Sequence, residues 1–561
     1  MKKRLLTALV AVVFTVVTCL TLTGCAIFNI FKKGVDFDES CYVNNDDVKF
    51  SYSQEEYDEF LETVDKLTEG ASTESLSEAQ LAILLLDLGI SKMRLEDAYS
   101  LAELYYNIDM TNAEAEARYF DMTEKYASMS VVYNAMFEPL AKSSYREMFF
   151  EGMTDEEIDL LLAMAVTDPQ LVTLETNITQ LTAQYHELSE DEILGNKFNE
   201  LYTDVIDTNN QIAKIYGFEN YIDYSYTMLF NRDFGTEDTK LFSRITSQSS
   251  PAIFKNASKE LDRLTDSLAP ARINEIDAIL NAPFTAESSK TILKGFYKSL
   301  GDDVYAAYQH VMSDGYYYIA SSPNAYQGAY TSYYQLKGEP FMYFAGYGNQ
   351  YTTVGTFVHE FGHYLNAYLG DWIPDLSYEL AETHSQGAEW LFNAYVSNLL
   401  VDKDEYSYFV NKALYENASM IIWSSLVGTV EIDAYNHSVE KDINTSAIFA
   451  KVENELYGPG TIEELFPGFM MPSDYYRFVA IDAPGYYISY AVSLTSSLEL
   501  YAMATEDYSA AVSAYTSLLR TEETYLAALE AAGLSSPFTA QAFENILRAL
   551  NGGSQDGGVV V

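Results

Sequence analysis

His359 and His363 stand four residues apart with Glu360 between them, in the stretch VGTFVHEFGHYLNAYLG over 354–370. In an α-helix that spacing puts both imidazoles on one face, a turn apart, so they can grip a single ion while the glutamate projects beside it. Zn2+ suits such ligands, and the acid next to it is placed for proton transfer. With six histidines in 561 residues, fewer than about 0.01 such motifs per chain arise by chance. Val354, Phe357, Val358, Phe361 and Leu365 give the predicted helix an apolar side to bury. A hydrolytic zinc needs a third protein ligand and an open position. The next predicted helix, SYELAETHSQGAEWLF over 377–392, which Asp375 could cap, carries Glu379, Glu382 and Glu389. Glu382 and Glu389 differ by seven and return to nearly the same face, so one can ligate while the other orients a histidine.

HEFGH at 359–363, followed by ETHSQGAEW at 382–390, resembles the thimet oligopeptidase and oligoendopeptidase F family of zinc metallopeptidases. The resemblance implies one zinc per chain held by His359, His363 and Glu382, with Glu360 as general base and Glu389 supporting a histidine. Glu382 follows His363 by 19 residues, several fewer than is usual in that family, which keeps Glu379 as a rival ligand. His384, two residues from Glu382, points to another face and reads as structural or at the rim. APGYYISYA at 483–491 is similar to the segment carrying the family's cleft tyrosines. That implies Tyr487 and Tyr490 as donors to the oxyanion, with Tyr486 as substitute. Gly328, Ala329 and Tyr330 resemble an edge strand that binds the peptide backbone, an ordinary tight turn being the other reading. NNQIAKIYGFENYIDY at 209–224, EPFMYFAGYG at 339–348 and LVGTVEIDAYN at 426–436 extend the likeness over about residues 200–545. One departure stands out. The family carries a histidine shortly before the tyrosines, whereas no histidine follows His437 here. Arg477, Asp482 or a tyrosine is left to take its task.

The resemblance implies a mainly α fold: a helical ellipsoid with a deep central cleft and a small antiparallel β-sheet beside the zinc-binding helices. Such a cleft admits short peptides, so the expected activity is that of a monomeric zinc metalloendopeptidase acting on oligopeptides. The alternative is a non-catalytic lipoprotein that keeps the fold and binds peptide or metal.

The elements that must position these residues are largely helical. Helix-type spacing of apolar residues runs through 76–105, 111–139, 171–216, 237–265 and 286–300, and again through 376–401, 405–440, 446–456 and 485–550. Ser53 with Glu56 and Thr154 with Glu157 have capping-box spacing. The Tyr- and Gly-rich stretch over 303–352 is the expected place for strands.

Lys2, Lys3 and Arg4 precede an uncharged run from Leu5 to Leu22 and then LTGC. This resembles a bacterial lipoprotein signal over 1–24, with Cys25 lipidated and 25–47 a tether; an uncleaved membrane anchor is the rival. Either way the body lies outside the cytoplasmic membrane, held to the lipid bilayer. Removing the signal takes away three positive charges and moves the formal charge from −49 to −52, which argues against nucleic acid as a partner. Only Cys41 then remains, so no intrachain disulfide forms. The expected organisation is an N-terminal helical region at 48–200, a catalytic region at 201–550 and a flexible tail at 551–561.

Overall fold

The computed structural model describes residues 51–550 except 151–152, 166, 337, 371–375, 398, 401, 437–442 and 467–471. The signal, Cys25, the tether, the Asp375 cap and the tail lie outside the described residues. Among those described, no helix is long and apolar enough to cross a membrane.

Helices dominate. The first six long ones are α1 (Gln54–Thr73), α2 (Glu78–Ile108), α3 (Ala113–Ala135), α4 (Asp155–Met164), α5 (Gln170–His186) and α6 (Asn196–Ile215). The Ser53–Glu56 capping box opens α1 as its spacing predicts. The segment expected to be one helix over 171–216 is two. Another capping box, between Ser189 and Glu192, starts a new turn, and Gly195 stands at the head of α6. Next come α7 (Thr236–Ser267), α8 (Pro270–Asn281), α9 (Glu287–Leu300) and α10 (Asp302–Asp314). The last of these occupies the start of the stretch read as strand-rich; Gly315, with φ of 74°, ends it in the left-handed conformation that glycine adopts without strain.

Three strands follow, β1 (Tyr317–Ala320), β2 (Ala329–Tyr334) and β3 (Glu339–Ala345), in the order β1-β3-β2. The sheet is mixed, not antiparallel as expected. A short turn reverses the chain between β2 and β3, whereas β1 lies on the far side of β3 and runs parallel to it.

The remaining long helices are α11 (Val354–Leu369), α12 (Tyr378–Ser397), α13 (Lys403–Tyr435), α14 (Thr445–Leu456), α15 (Ile488–Glu506), α16 (Tyr508–Leu518) and α17 (Ala540–Leu550). Thr353 caps α11 by accepting from the Thr356 N–H at 3.2 Å. Phe357 places the helix on the sheet, its ring centroid 6.3 Å from that of Phe344 on β3 and 4.7 Å from that of Phe284. At the start of α12 the Ser377 hydroxyl accepts from the Leu380 N–H at 3.2 Å.

The N-terminal helices pack against the rest within one buried cluster. Asn107 of α2 donates to the Tyr330 hydroxyl at 3.2 Å, and Tyr185 of α5 donates to the Arg477 carbonyl at 3.0 Å. The hydroxyls of Tyr202 and Tyr476 meet at 2.6 Å.

Helices α11 and α12 touch backbone to backbone. A Cβ added at Gly362 would sit 2.5 Å from the Ser385 Cα and 2.6 Å from the His384 carbonyl oxygen. Gly362→Ala is therefore expected to force the two helices apart, at a cost of about 1–3 kcal/mol. Thermal unfolding and metal titration of the variant check this; an unchanged Tm with unchanged metal affinity would show that the contact is slack.

Candidate active site

Helix α11 carries His359, Glu360 and His363, and α12 carries Glu382 opposite them. The imidazole centroids lie 5.1 Å apart with their planes at 79°. His359 Nε2 is 3.7 Å from Glu382 Oε2, and His363 Nε2 is 4.0 Å from Glu382 Oε1. One ligand atom from each residue falls within 4.8 Å of the other two. Around a tetrahedral zinc with bonds of about 2.1 Å such atoms stand roughly 3.4 Å apart, so binding would draw the three side chains together by up to about 1.4 Å. The His363 Nε2 is buried without a hydrogen-bond partner, the kind of orphaned lone pair that a cation satisfies. The histidine side chains are 14% and 15% exposed and Glu382 2%, and His359 also lines a cleft that adjoins the triangle. Two imidazoles and one carboxylate with one side open fit a hydrolytic zinc.

The surroundings fix each donor. His359 Nδ1 meets Glu389 Oε1 at 2.6 Å, so its N–H donates there and the Nε2 lone pair faces Glu382. Burial lowers the His359 pKa, but the hydrogen bond and charge of Glu389, with the charges of Glu382 and Glu360, outweigh it and hold the imidazole at about 9. Burial and the charges of His359 and His384 drive His363 well below the usual histidine range. Glu382 is raised by burial, opposed by His359, Tyr486 and Ser385. The Tyr486 hydroxyl donates to Glu382 Oε1, and Ser385 Oγ donates to Oε2 at 3.2 Å.

Glu360 is fully buried on the same face, pushed up to about 7 by burial despite the nearby His359 and Thr331. Its Oε2 lies 3.0 Å from Thr331 Oγ1, while Oε1 has no partner.

Glu379, the rival ligand, turns away. Its Oε1 accepts from Arg232 Nε and from Ser489 Oγ, each at 2.6 Å, in an ion pair with both side chains 0% exposed. The same guanidinium donates to the Gly485 carbonyl at 2.8 Å and to Ser489 Oγ at 2.7 Å, and stacks on Tyr226 at 4.1 Å. Arg232 thereby fastens the turn before α15 to α12. Gly485 sits in that turn with φ of 84° and a would-be Cβ 2.7 Å from Ser225 Oγ, so glycine is required there. His384 Nε2 meets the Leu518 carbonyl at 2.9 Å on the far side of α12, and burial lowers its pKa to about 4.

The tyrosines divide. Tyr490 lines a cleft with His359, Glu389, Trp390 and Leu494, and its hydroxyl contacts that of Tyr486. Tyr487 is 1% exposed, packed on Tyr486 and Tyr490, and it interacts electrostatically with Tyr185 and Tyr475. Tyr486, named from the sequence only as a substitute, is the one bonded to Glu382. Gly328 gives its carbonyl to the Ala345 N–H at 2.8 Å, and Ala329 and Tyr330 begin β2. The Tyr330 ring faces away from Glu360, stacking on Tyr343 at 4.8 Å. Arg477 donates to the Ile193 and Gly195 carbonyls at 3.1 and 3.0 Å. Asp482 Oδ1 lies 3.1 Å from His186 Nε2, so a histidine from α5 stands beside the tyrosine turn.

No protein-family model matches this sequence, and no curated protein matches it. Solved structures do. PZ peptidase A with inhibitor 2 is similar at 13% identity and a TM-score of 0.68, over 90% of this chain and 97% of that one. Oligoendopeptidase F from Enterococcus faecium is similar at 14% identity and a TM-score of 0.58, over 89% of this chain and 97% of that one. This chain has the oligoendopeptidase F fold. Coverage of 90% cannot be confined to residues 201–550, which make up about three fifths of the chain, so the likeness also takes in helices upstream of residue 200.

Within the oligoendopeptidase F fold, sequence reasoning passed over Thr331 and Arg232. Thr331 follows Tyr330, and the two-residue period of a strand points its side chain to the opposite face, a signal that was there to use. Arg232 pairs with a residue 147 positions away, and no local pattern announces it.

Losing the Glu389 carboxylate frees the His359 ring and its tautomer. Glu389→Gln is expected to weaken zinc binding about 10- to 100-fold, measured by competition with a chromogenic chelator; an unchanged affinity would make the 2.6 Å contact incidental.

Proposed function

We propose that this protein is a zinc-dependent oligopeptidase, lipid-anchored through Cys25 at the outer face of a bacterial cytoplasmic membrane. The observation that carries the hydrolytic reading is Glu360: a fully buried carboxylate with one unpartnered oxygen, next in sequence to His359 and near enough to His359 and Glu382 to interact with their charges. Zinc held by those three would lower the pKa of an attacking water and polarise the peptide carbonyl. Glu360 Oε1 accepts the water's proton and returns it to the leaving amine. Glu389 keeps the His359 tautomer fixed.

Tyr490 is the donor for the developing oxyanion. Each phenol has one proton; that of Tyr486 is committed to Glu382, which leaves Tyr490, on the cleft wall, as the phenol with a proton to offer a substrate. A hydrogen bond to an oxyanion is stronger than one to a neutral oxygen, so the Tyr490 hydroxyl would bind more tightly as charge builds on the substrate. Tyr487 packs behind both rings. Among the described residues no strand pairs with the outer edge of β2, and its half-buried part from Thr331 onward would pair with an extended peptide; of the three residues read from the sequence, Gly328 and Tyr330 face β3 and Ala329 is fully buried. The similar structures named as oligoendopeptidase F and PZ peptidase support short peptides as the substrate class.

A quenched fluorescent oligopeptide tests the reaction. Turnover should stop on chelation and return with Zn2+, and Glu360→Gln should lower kcat by about 10²- to 10⁴-fold while retaining zinc. If wild type and variant turn over equally slowly and both bind peptide, the non-catalytic binding protein is the right account. For the anchor, Cys25→Ser should move the protein from the detergent phase to the aqueous phase; a variant still retained with membranes would point to an uncleaved helix.

A further inference from the structure

Glu360 is aimed by a residue outside its own helix. Its carboxylate is buried, and Thr331 Oγ1 lies 3.0 Å from both Glu360 Oε2 and the Glu360 backbone oxygen. The hydroxyl thus faces the residue at two points and resists rotation of the carboxylate. With Oε2 held, Oε1 is left unpartnered. One oxygen can then both take and return the proton, with no carboxylate flip between the two transfers.

The strand that carries Thr331 has a second use. Ala345 N–H bonds to the Gly328 carbonyl, and the register pairs Ala329 with Phe344, Tyr330 with Tyr343 and Thr331 with Met342. In an antiparallel ladder the residues alternate, so Gly328 and Tyr330 turn their backbone groups inward to β3, while Ala329 and Thr331 turn theirs outward. β2 is an edge strand in the order β1-β3-β2. Thr331 is half-buried, with its backbone on the open edge and its side chain on the base.

We propose that Thr331 is the positioning residue of the Glu360 base, and that it links the base to a peptide docked along the outer edge of β2. This rests on the hydrolytic reading above. A peptide strand that bonds to the Thr331 backbone is held in register with the side chain that orients the carboxylate. Substrate and base are then set by one residue.

The test compares Thr331→Val, Thr331→Ala and Thr331→Ser in the zinc-loaded full chain. Val and Ala remove the hydroxyl and should lower kcat about 10- to 100-fold, the cost of a misaimed catalytic group. KM, zinc content and Tm should stay close to wild type, because backbone docking and the metal ligands are untouched. Ser keeps the hydroxyl and should restore most of kcat. Crystal structures supply a readout independent of turnover: the Glu360 carboxylate should leave its place in Val and Ala and keep it in Ser. The proposal fails if Val and Ala retain kcat, if Ser loses as much as Val, or if the carboxylate stays fixed without the hydroxyl. Should the wild type cleave no peptide, the hydrolytic reading falls, and the carboxylate position in the three variants still decides whether Thr331 orients Glu360.

Discussion

The close crossing of α11 and α12 is the constraint on which the site depends. A carboxylate on one helix reaches an ion gripped by two imidazoles on another only if the helices approach closely. Gly362 permits it, because its missing Cβ leaves room for the Ser385 Cα and the His384 carbonyl. The glycine of HEFGH is therefore a packing residue with a chemical consequence. The sheet acts in the same direction, since Phe357 seats α11 against Phe344 of β3 and leaves the histidine face turned towards α12.

That crossing concentrates charge where water is scarce. Glu360 and Glu382 are both buried beside His359 and His363, with Glu389 at the edge. Burial pushes both buried carboxyls up, while the two imidazoles move in opposite directions, His359 up and His363 down. Such divergence within one cluster reflects its unequal partners: His359 is hydrogen-bonded to an acid, whereas His363 bonds to the Ala381 backbone and its Nε2 has no hydrogen bond. A divalent cation would relieve the orphaned nitrogen and the crowded carboxylates together. Glu379, one turn from Glu382, shows the other way of burying a charge. Arg232 and Ser489 satisfy its Oε1, and it contributes to holding the turn in place rather than to a metal.

Much of this was legible because it is local. The i, i+4 histidines, the intervening acid and the seven-residue step from Glu382 to Glu389 are statements about one helix each, and a helix maps sequence distance onto direction. What crosses between distant elements was not legible. The choice between Glu379 and Glu382 depends on Arg232, far upstream; the division of labour among Tyr486, Tyr487 and Tyr490 depends on how a turn closed by Gly485 meets α12. The expected antiparallel sheet failed for the same reason, because β1 pairs across a chain reversal that local composition does not encode. The break at 187–195 was a local signal that the apolar periodicity masked, and the helix ended by Gly315 was hidden by the Tyr- and Gly-rich composition of 303–352.

The tyrosine turn also bears on the histidine absent from its expected place. An imidazole there would titrate near neutral pH, and its help would vary with its protonation. The phenols do not share that weakness. Tyr486 is held well above the usual tyrosine range by burial and by the charge of Glu382, so it keeps its proton and goes on donating to Glu382 across the working pH of a protein. A phenol in place of an imidazole would give up a cationic donor and gain one whose charge does not change near neutral pH. The imidazole nearest the turn, His186, faces Asp482, whose hydrogen bond and charge raise its pKa against the lowering effect of burial. Its contact with an acid ties α5 to the segment that bears the tyrosines, and places a helix from the N-terminal part of the chain in the support of the site.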